Sequence, residues 1–232
     1  MVKYVKGNAD WMETAVVMPA PSGEVQENPG QNQQPQPQRR ITGLVMDGRG
    51  QPYCPIFAKP KANGTGRHIT AYLVSEILDV DEYVDLIDCL FTATEDDDIF
   101  IYIDSPGGYI SAGSIISSAI HHSHANVYTV ARGLCASAAC LIHNSAKEGH
   151  AIVEDMGVLM IHMSLHGDSG VSSLIAKRAS DQVRYVNETL LSQAVEMGYL
   201  LPNELDQIQN GKEIYISSKD FKARIEANNE TG

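Results

Sequence analysis

Three stretches of this 232-residue chain hold residues whose types and spacing suit covalent chemistry. Asp104-Ser105-Pro106-Gly107-Gly108 comes first. Ser137, inside Gly133-Leu134-Cys135-Ala136-Ser137-Ala138, lies twenty-nine residues past Gly108, and His162, ending Met160-Ile161-His162, lies twenty-five past Ser137. A serine hydroxyl is a weak nucleophile until a base accepts its proton and donors stabilise the oxyanion that forms. Gly107 and Gly108 offer backbone amides unshielded by side chains, Ser137 offers the hydroxyl and His162 the base. These are the parts of a serine acyl-transfer site. Taken singly each has a plainer reading: Ser137 as a helix N-cap, Ser-Pro-Gly-Gly as a turn, His162 as a satisfied core histidine. Their order and spacing carry the argument.

The small residues Gly133, Ala136, Ala138 and Ala139 permit a tight strand-to-helix bend. Such a bend would hold the Ser137 hydroxyl at a helix N-terminus, with the Ala138 amide toward the developing charge. His166, on an expected loop with Gly167 and Gly170, is the second candidate for the base. The cluster His121-His122-Ser123-His124 lacks regular ligand spacing and is expected to end a helix in solvent. No metal and no cofactor is expected.

The elements that must position these groups follow from hydrophobic periodicity. Strands are expected at 69–74, 99–103, 127–130 and 158–161, and helices at 79–93, 112–122 and 138–144. The strand at 99–103 is almost wholly apolar, as expected of one buried on both faces. A long helix is expected over 171–198, with apolar residues in one stripe and Gly198 as its C-terminal cap. A short helix at 205–209 and a strand at 213–217 come next, with Ser218 capping a terminal helix. Strands alternating with helices indicate an α/β fold whose chemistry sits at strand-to-helix junctions.

Composition narrows the classes. The formal net charge of −12 excludes nucleic acid as the main partner, since phosphate binding needs a basic surface. Cys54, Cys89, Cys135 and Cys140 form no CxxC or zinc spacing, which favours a reducing interior. No stretch reaches bilayer-spanning length or resembles a signal peptide, so a soluble, cytoplasmic protein without membrane partners is expected. Residues 19–40, rich in Gln and Pro, have little to bury and are expected to be disordered or a tether. Residues 41–46 could form a strand, but Gly48, Gly50, Pro52, Pro55 and Pro60 interrupt the chain beyond it. The expected division is an N-terminal extension over 1–66 and a folded domain over 67–232.

The run Tyr102-Ile103-Asp104-Ser105-Pro106-Gly107-Gly108, the segment Gly133-x-x-Ala136-Ser137 and Met160-Ile161-His162 together resemble the proteolytic subunit of the Clp protease. The similarity runs from about Arg67 to Ile225. It implies a crotonase-like fold of repeated strand-strand-helix units with a long protruding handle helix, here beginning near Val171. It also implies Ser137 as nucleophile, His162 as general base, the amides of Gly108 and Ala138 as oxyanion hole, and substrate backbone aligned by Gly107. Protein or peptide substrates would be cut inside a homo-oligomer of two seven-membered rings, fed by an ATP-driven unfoldase of the AAA+ class.

The chain departs from the family pattern at three places. The family's third triad member is an aspartate, and Glu213 stands there, before Tyr215-Ile216-Ser217. Either carboxylate can accept the imidazole Nδ1 hydrogen bond. Asp206 and Asp220 are the weaker alternatives, and an exposed strand-start carboxylate is the plain reading of Glu213. Ala138 replaces a methionine, and a Gln/Pro-rich extension replaces the axial loop, which puts unfoldase docking in question. Clp-like proteases of phage head maturation diverge similarly, so assembly-associated proteins join unfolded proteins as expected substrates. Three rival readings stand beside this one. They are a crotonase-type acyl-CoA enzyme, a Ser-Lys peptidase using Lys147, and a catalytically inactive ring subunit.

Overall fold

In the computed structural model the described residues are 39–41, 54–163, 181, 184, 188, 191–192 and 194–231. A single mixed sheet organises them. Its strands are β1 (Arg39–Ile41), β2 (Ile56–Pro60), β3 (Arg67–Leu73), β4 (Asp98–Ser105), β5 (Asn126–Ala136), β6 (Ala151–Val153), β7 (Val158–Ile161) and β8 (Ile214–Ser217). Their order is β1-β2-β3-β4-β5-β7-β8, with β6 also paired to β5. The central pairs β3–β4, β4–β5, β5–β6 and β5–β7 are parallel, while β1–β2, β2–β3 and β7–β8 are antiparallel. Helices α1 (Val84–Thr92), α2 (Ile110–His122), α3 (Ala138–Asn144), α4 (Pro202–Gln209) and α5 (Ser218–Thr231) connect or follow the strands. The α/β architecture expected from the sequence is the one found.

Period-two burial explains the sheet. Ile99, Ile101 and Ile103 on β4 are fully buried, in one core with Ile69, Ala71, Leu73, and with Leu86 and Leu90 of α1 and Ile116 of α2. Each such leucine or isoleucine taken from water contributes about 1.5–3 kcal/mol. The opposite face of β4 is only half-buried, so the expectation of burial on both faces is corrected. Phe100 and Tyr102 stand there in cross-strand ring stacks, Phe100 with Tyr128 at 4.7 Å and Tyr102 with Tyr72 at 5.4 Å. Alternation was masked because aromatic and aliphatic residues both score as apolar.

Other expectations needed correction. β2 lies within the stretch that Pro55 and Pro60 had marked as interrupted; the prolines fall beside and at the end of a strand whose partner is β3. β5 does not stop at Val130 but continues to Ala136 through a register shift. β6 was not foreseen. At the start of α5 the capping hydroxyl is that of Ser217, which accepts the Asp220 N–H at 3.2 Å. The Ser218 hydroxyl instead donates to Val153 O, tying α5 to β6. Of the expected long helix over 171–198, residues 171–180, 182–183, 185–187, 189–190 and 193 lie outside the described residues. Its last described turn ends at Gly198, with φ of 76° and its N–H bonded to Val195 O at 3.0 Å.

Candidate active site

β5, α3 and β7 converge on one backbone turn. Ser137 sits between β5 and α3 with φ of 55° and ψ of −123°, the one described non-glycine residue with positive φ. A side chain in that region costs about 1–3 kcal/mol, so the surroundings must impose it. They do so from β7. The Ser137 N–H donates to Met160 O at 2.9 Å, and the Ser137 carbonyl accepts the first helical bond from Leu141 N–H at 3.1 Å. Two residues beyond Met160, β7 has ended and delivers His162. Its Nε2 lies 2.7 Å from Ser137 Oγ, and both residues are half-buried. The strand that pins the turn therefore also brings the imidazole. For the hydroxyl to donate across that contact, His162 must carry its proton on Nδ1.

The glycine loop packs against the same turn. A Cβ on Gly107 would fall 2.7 Å from Ser137 Cβ, 2.6 Å from Ala136 O and 3.0 Å from Ala138 N, and φ there is +92°. Only glycine fits, because the two backbones touch. The loop is pinned on its other side by Ile77, whose N–H donates to Gly107 O at 2.7 Å and whose carbonyl accepts the Tyr109 N–H at 2.8 Å. The Gly107 N–H is taken by Ser105 Oγ at 3.1 Å. Neither the Gly108 N–H nor the Ala138 N–H has an acceptor among the described residues, and Ala138 opens α3, where a helix leaves its amides unpaired. One of these donors thus follows Ser137 directly in the chain, and the other follows Gly107, whose backbone touches the Ser137 turn.

The carboxylates are arranged differently from one another. Antiparallel β7–β8 pairing sets Met160 against Tyr215 and Ile161 against Ile214. The ladder ends there; continued one step past its last pair, the same register would set Glu213 opposite His162. Glu213 is exposed, and its Oε2 accepts the Tyr215 hydroxyl at 2.9 Å; among the described residues no hydrogen bond joins it to His162. Asp220 is occupied at the start of α5, where its carboxylate accepts the Ser217 hydroxyl at 2.7 Å. Asp206 lies exposed on α4. His166 lies outside the described residues. Lys147 is exposed beyond the far end of α3, a seven-residue helix about 10 Å long, while Ser137 is at the near end. Among the described residues no group of three or more His, Cys, Asp or Glu could hold a metal.

Sequence reasoning missed the anchors. Ile77 carries no chemical signal, and nothing local to Asp104 marks its Oδ1 as the acceptor of the Leu134 N–H at 3.0 Å. The Tyr215 hydroxyl on Glu213 was legible in principle, since residues two apart on a strand share a face.

The Clp protease family model matches residues 68–214, a span that includes Ser137, His162 and Glu213. The chain belongs to the Clp protease family. It is similar to ATP-dependent Clp protease proteolytic subunit 1 of Gloeobacter violaceus, with 30% identity over 125 residues, 54% of this chain and 62% of the relative. The ATP-dependent Clp protease proteolytic subunit of Pleurastrum terricola is 33% identical over 105 residues, 45% of this chain and 54% of its own. That of Ligilactobacillus salivarius is 36% identical over 78 residues, 34% and 40% respectively. This Clp protease family member thus spans about half the length of the curated relatives it matches. None of its described helices is long and apolar enough to cross a membrane.

Proposed function

We propose that the chain is a serine endopeptidase of the Clp type. The observation that carries this reading is the 2.7 Å contact between Ser137 Oγ and His162 Nε2, at a left-handed turn opening a helix. Ser137 Oγ attacks the scissile carbonyl as its proton passes to His162 Nε2. The resulting oxyanion receives the N–H groups of Gly108 and Ala138. Collapse expels the amine, which takes the proton from Nε2, and leaves an acyl-serine. Water, deprotonated by the same nitrogen, then releases the acid and restores Ser137. Glu213 is the carboxylate proposed to hold Nδ1–H: it directly precedes the strand paired with β7, and one of its oxygens accepts the Tyr215 hydroxyl.

The substrates would be unfolded or assembly-associated proteins, bound with extended backbone along the loop at Gly107. The relatives' names, ATP-dependent Clp protease proteolytic subunits, support a proteolytic subunit whose work depends on ATP. We extend this to a ring of copies served by an ATP-driven unfoldase in the cytoplasm. An acyl-CoA enzyme would have no use for the Ser137–His162 contact, and Lys147 stands at the wrong end of α3 for a Ser-Lys peptidase. The test is labelling by a fluorophosphonate with mass-spectrometric site mapping, beside casein hydrolysis. The expected outcome is a single adduct on Ser137 and loss of both labelling and cleavage in Ser137→Ala. Cleavage that survives in Ser137→Ala overturns the reading. A folded, assembled protein that resists the probe would favour an inactive ring subunit.

A further inference from the structure

β4 and β5 run in regular parallel register until Ile103 pairs with Ala131, and they pair again only where Ser105 meets Cys135. Between those points one residue, Asp104, faces three: Arg132, Gly133 and Leu134. The bulge divides β5 into a half that pairs with β6, at Thr129–Ala131, and a half that pairs with β7, at Leu134–Ala136. A bulge leaves backbone groups without ladder partners and bends the strand. Here the Asp104 carboxylate fills it. Asp104 Oδ1 accepts the Leu134 N–H at 3.0 Å. A Cβ on Gly133 would stand 2.5 Å from that oxygen and 2.8 Å from the carboxyl carbon. Gly133 is thus small because Asp104 occupies its side-chain space, four residues before the nucleophile.

We infer that Asp104 is a positioning residue for the Ser137 turn, an inference that rests on the peptidase reading above. The bond at Leu134 fixes where β5 rejoins β7. From there the path is short: Ala136 pairs with Met160, Ser137 N–H bonds Met160 O, and His162 comes two residues later. Without the carboxylate one restraint is lost, beside the β7 pairing and the Gly107 contact, against a slip of β5 toward regular pairing with β4, which would carry Ser137 Oγ away from Nε2 and the Ala138 N–H away from the oxyanion. Asp104 is itself exposed, so its bond competes with water and adds little to global stability. Its effect falls on geometry, where a displacement of about 1 Å can cost about a hundredfold in rate.

The experiment compares kcat, KM and melting temperature in Asp104→Ala, Asp104→Asn, Gly133→Ala and the Asp104→Ala/Gly133→Ala pair, with Ser137→Ala alongside. Asp104→Ala is expected to lower kcat by about ten- to a hundredfold with KM and melting temperature nearly unchanged. Asp104→Asn, whose amide oxygen still accepts the Leu134 N–H, restores most of the rate. Gly133→Ala displaces the carboxylate and reproduces the loss even if Asp104→Ala fails to fold. The double variant is no worse than either single one, since both act through one bond. Full activity in Asp104→Ala, no rescue by Asp104→Asn, or losses that multiply in the double variant would each overturn the inference. Turnover that survives Ser137→Ala defeats the peptidase reading instead, whatever Asp104 does.

Discussion

Ser137 adopts a backbone conformation that its own side chain resists, and this has a measurable consequence. Glycine normally destabilises relative to alanine, by about 0.5–1 kcal/mol in regular structure. At φ of 55° and ψ of −123° the order should reverse. Ser137→Gly and Ser137→Ala both lack the hydroxyl, so their difference isolates the strain. Ser137→Gly is expected to be the more stable by about 1 kcal/mol, read from thermal or denaturant melts, with both variants inert. Equal stability, or a more stable alanine variant, would mean that the turn stores no strain. Strain held beside a free helix amide is what an enzyme needs there and what a simple N-cap does not.

At the scale of elements, two buried titratable groups staple the units that carry the site. Asp97, 1% exposed, accepts the backbone N–H, Nε and an Nη of Arg67 and the N–H of Thr94, so it joins the start of β3 to the loop before β4. Hydrogen bonds from the Arg67 side chain, then from the two backbone amides, hold its carboxyl well below the ordinary 3.8. His143 on α3 is fully buried, with Nε2 3.0 Å from Ile152 O, and burial pushes its imidazole below the ordinary 6.5. Both values are depressed in the folded chain, so both contributions are complete above the ordinary pKa and are lost as pH falls. The melting temperature should decline first below about pH 6.5, as the buried imidazole resists the proton that the unfolded chain accepts. A second decline should come below about pH 3.8, from Asp97. Asp97→Asn is expected to cost about 1–3 kcal/mol at neutral pH, since Arg67 is partly exposed, and to shrink the second decline while leaving the first unchanged. A variant whose acid limb matches the wild type would exclude Asp97 from it.

For the whole molecule, surface chemistry bears on assembly. Phe91 and Ile115 are 56% and 42% exposed, Met156 is 83% exposed, and the aromatic face of the sheet is half-open. A chain of 25.3 kDa bearing these surfaces is expected to self-associate, as the family's ring architecture would require. Native mass spectrometry of purified protein should give an oligomer, in multiples of seven chains where the rings implied by the family resemblance form. A monomer at micromolar concentration would remove the chamber from the proposed function while leaving the chemistry of Ser137 intact.

Much of the site could be read from the sequence because chemistry and turn geometry leave local marks. A hydroxyl among small residues, a Gly-Gly pair and a histidine after four apolar residues are each confined to a few positions, and α3 was placed residue for residue. The α/β class emerged in the same way, from alternating periodicities. What the chain alone could not determine was non-local. Nothing near Ile77 announces that it clamps Gly107, and nothing near Asp104 announces that Leu134, thirty residues on, needs its carboxylate. The prolines around β2 hid a strand that only its pairing with β3 reveals. Spacing set the parts of the site in order; the tertiary fold decided that Ser137 and His162 come within 2.7 Å, because the β7 carbonyl that takes the serine's amide, that of Met160, stands two residues before the imidazole.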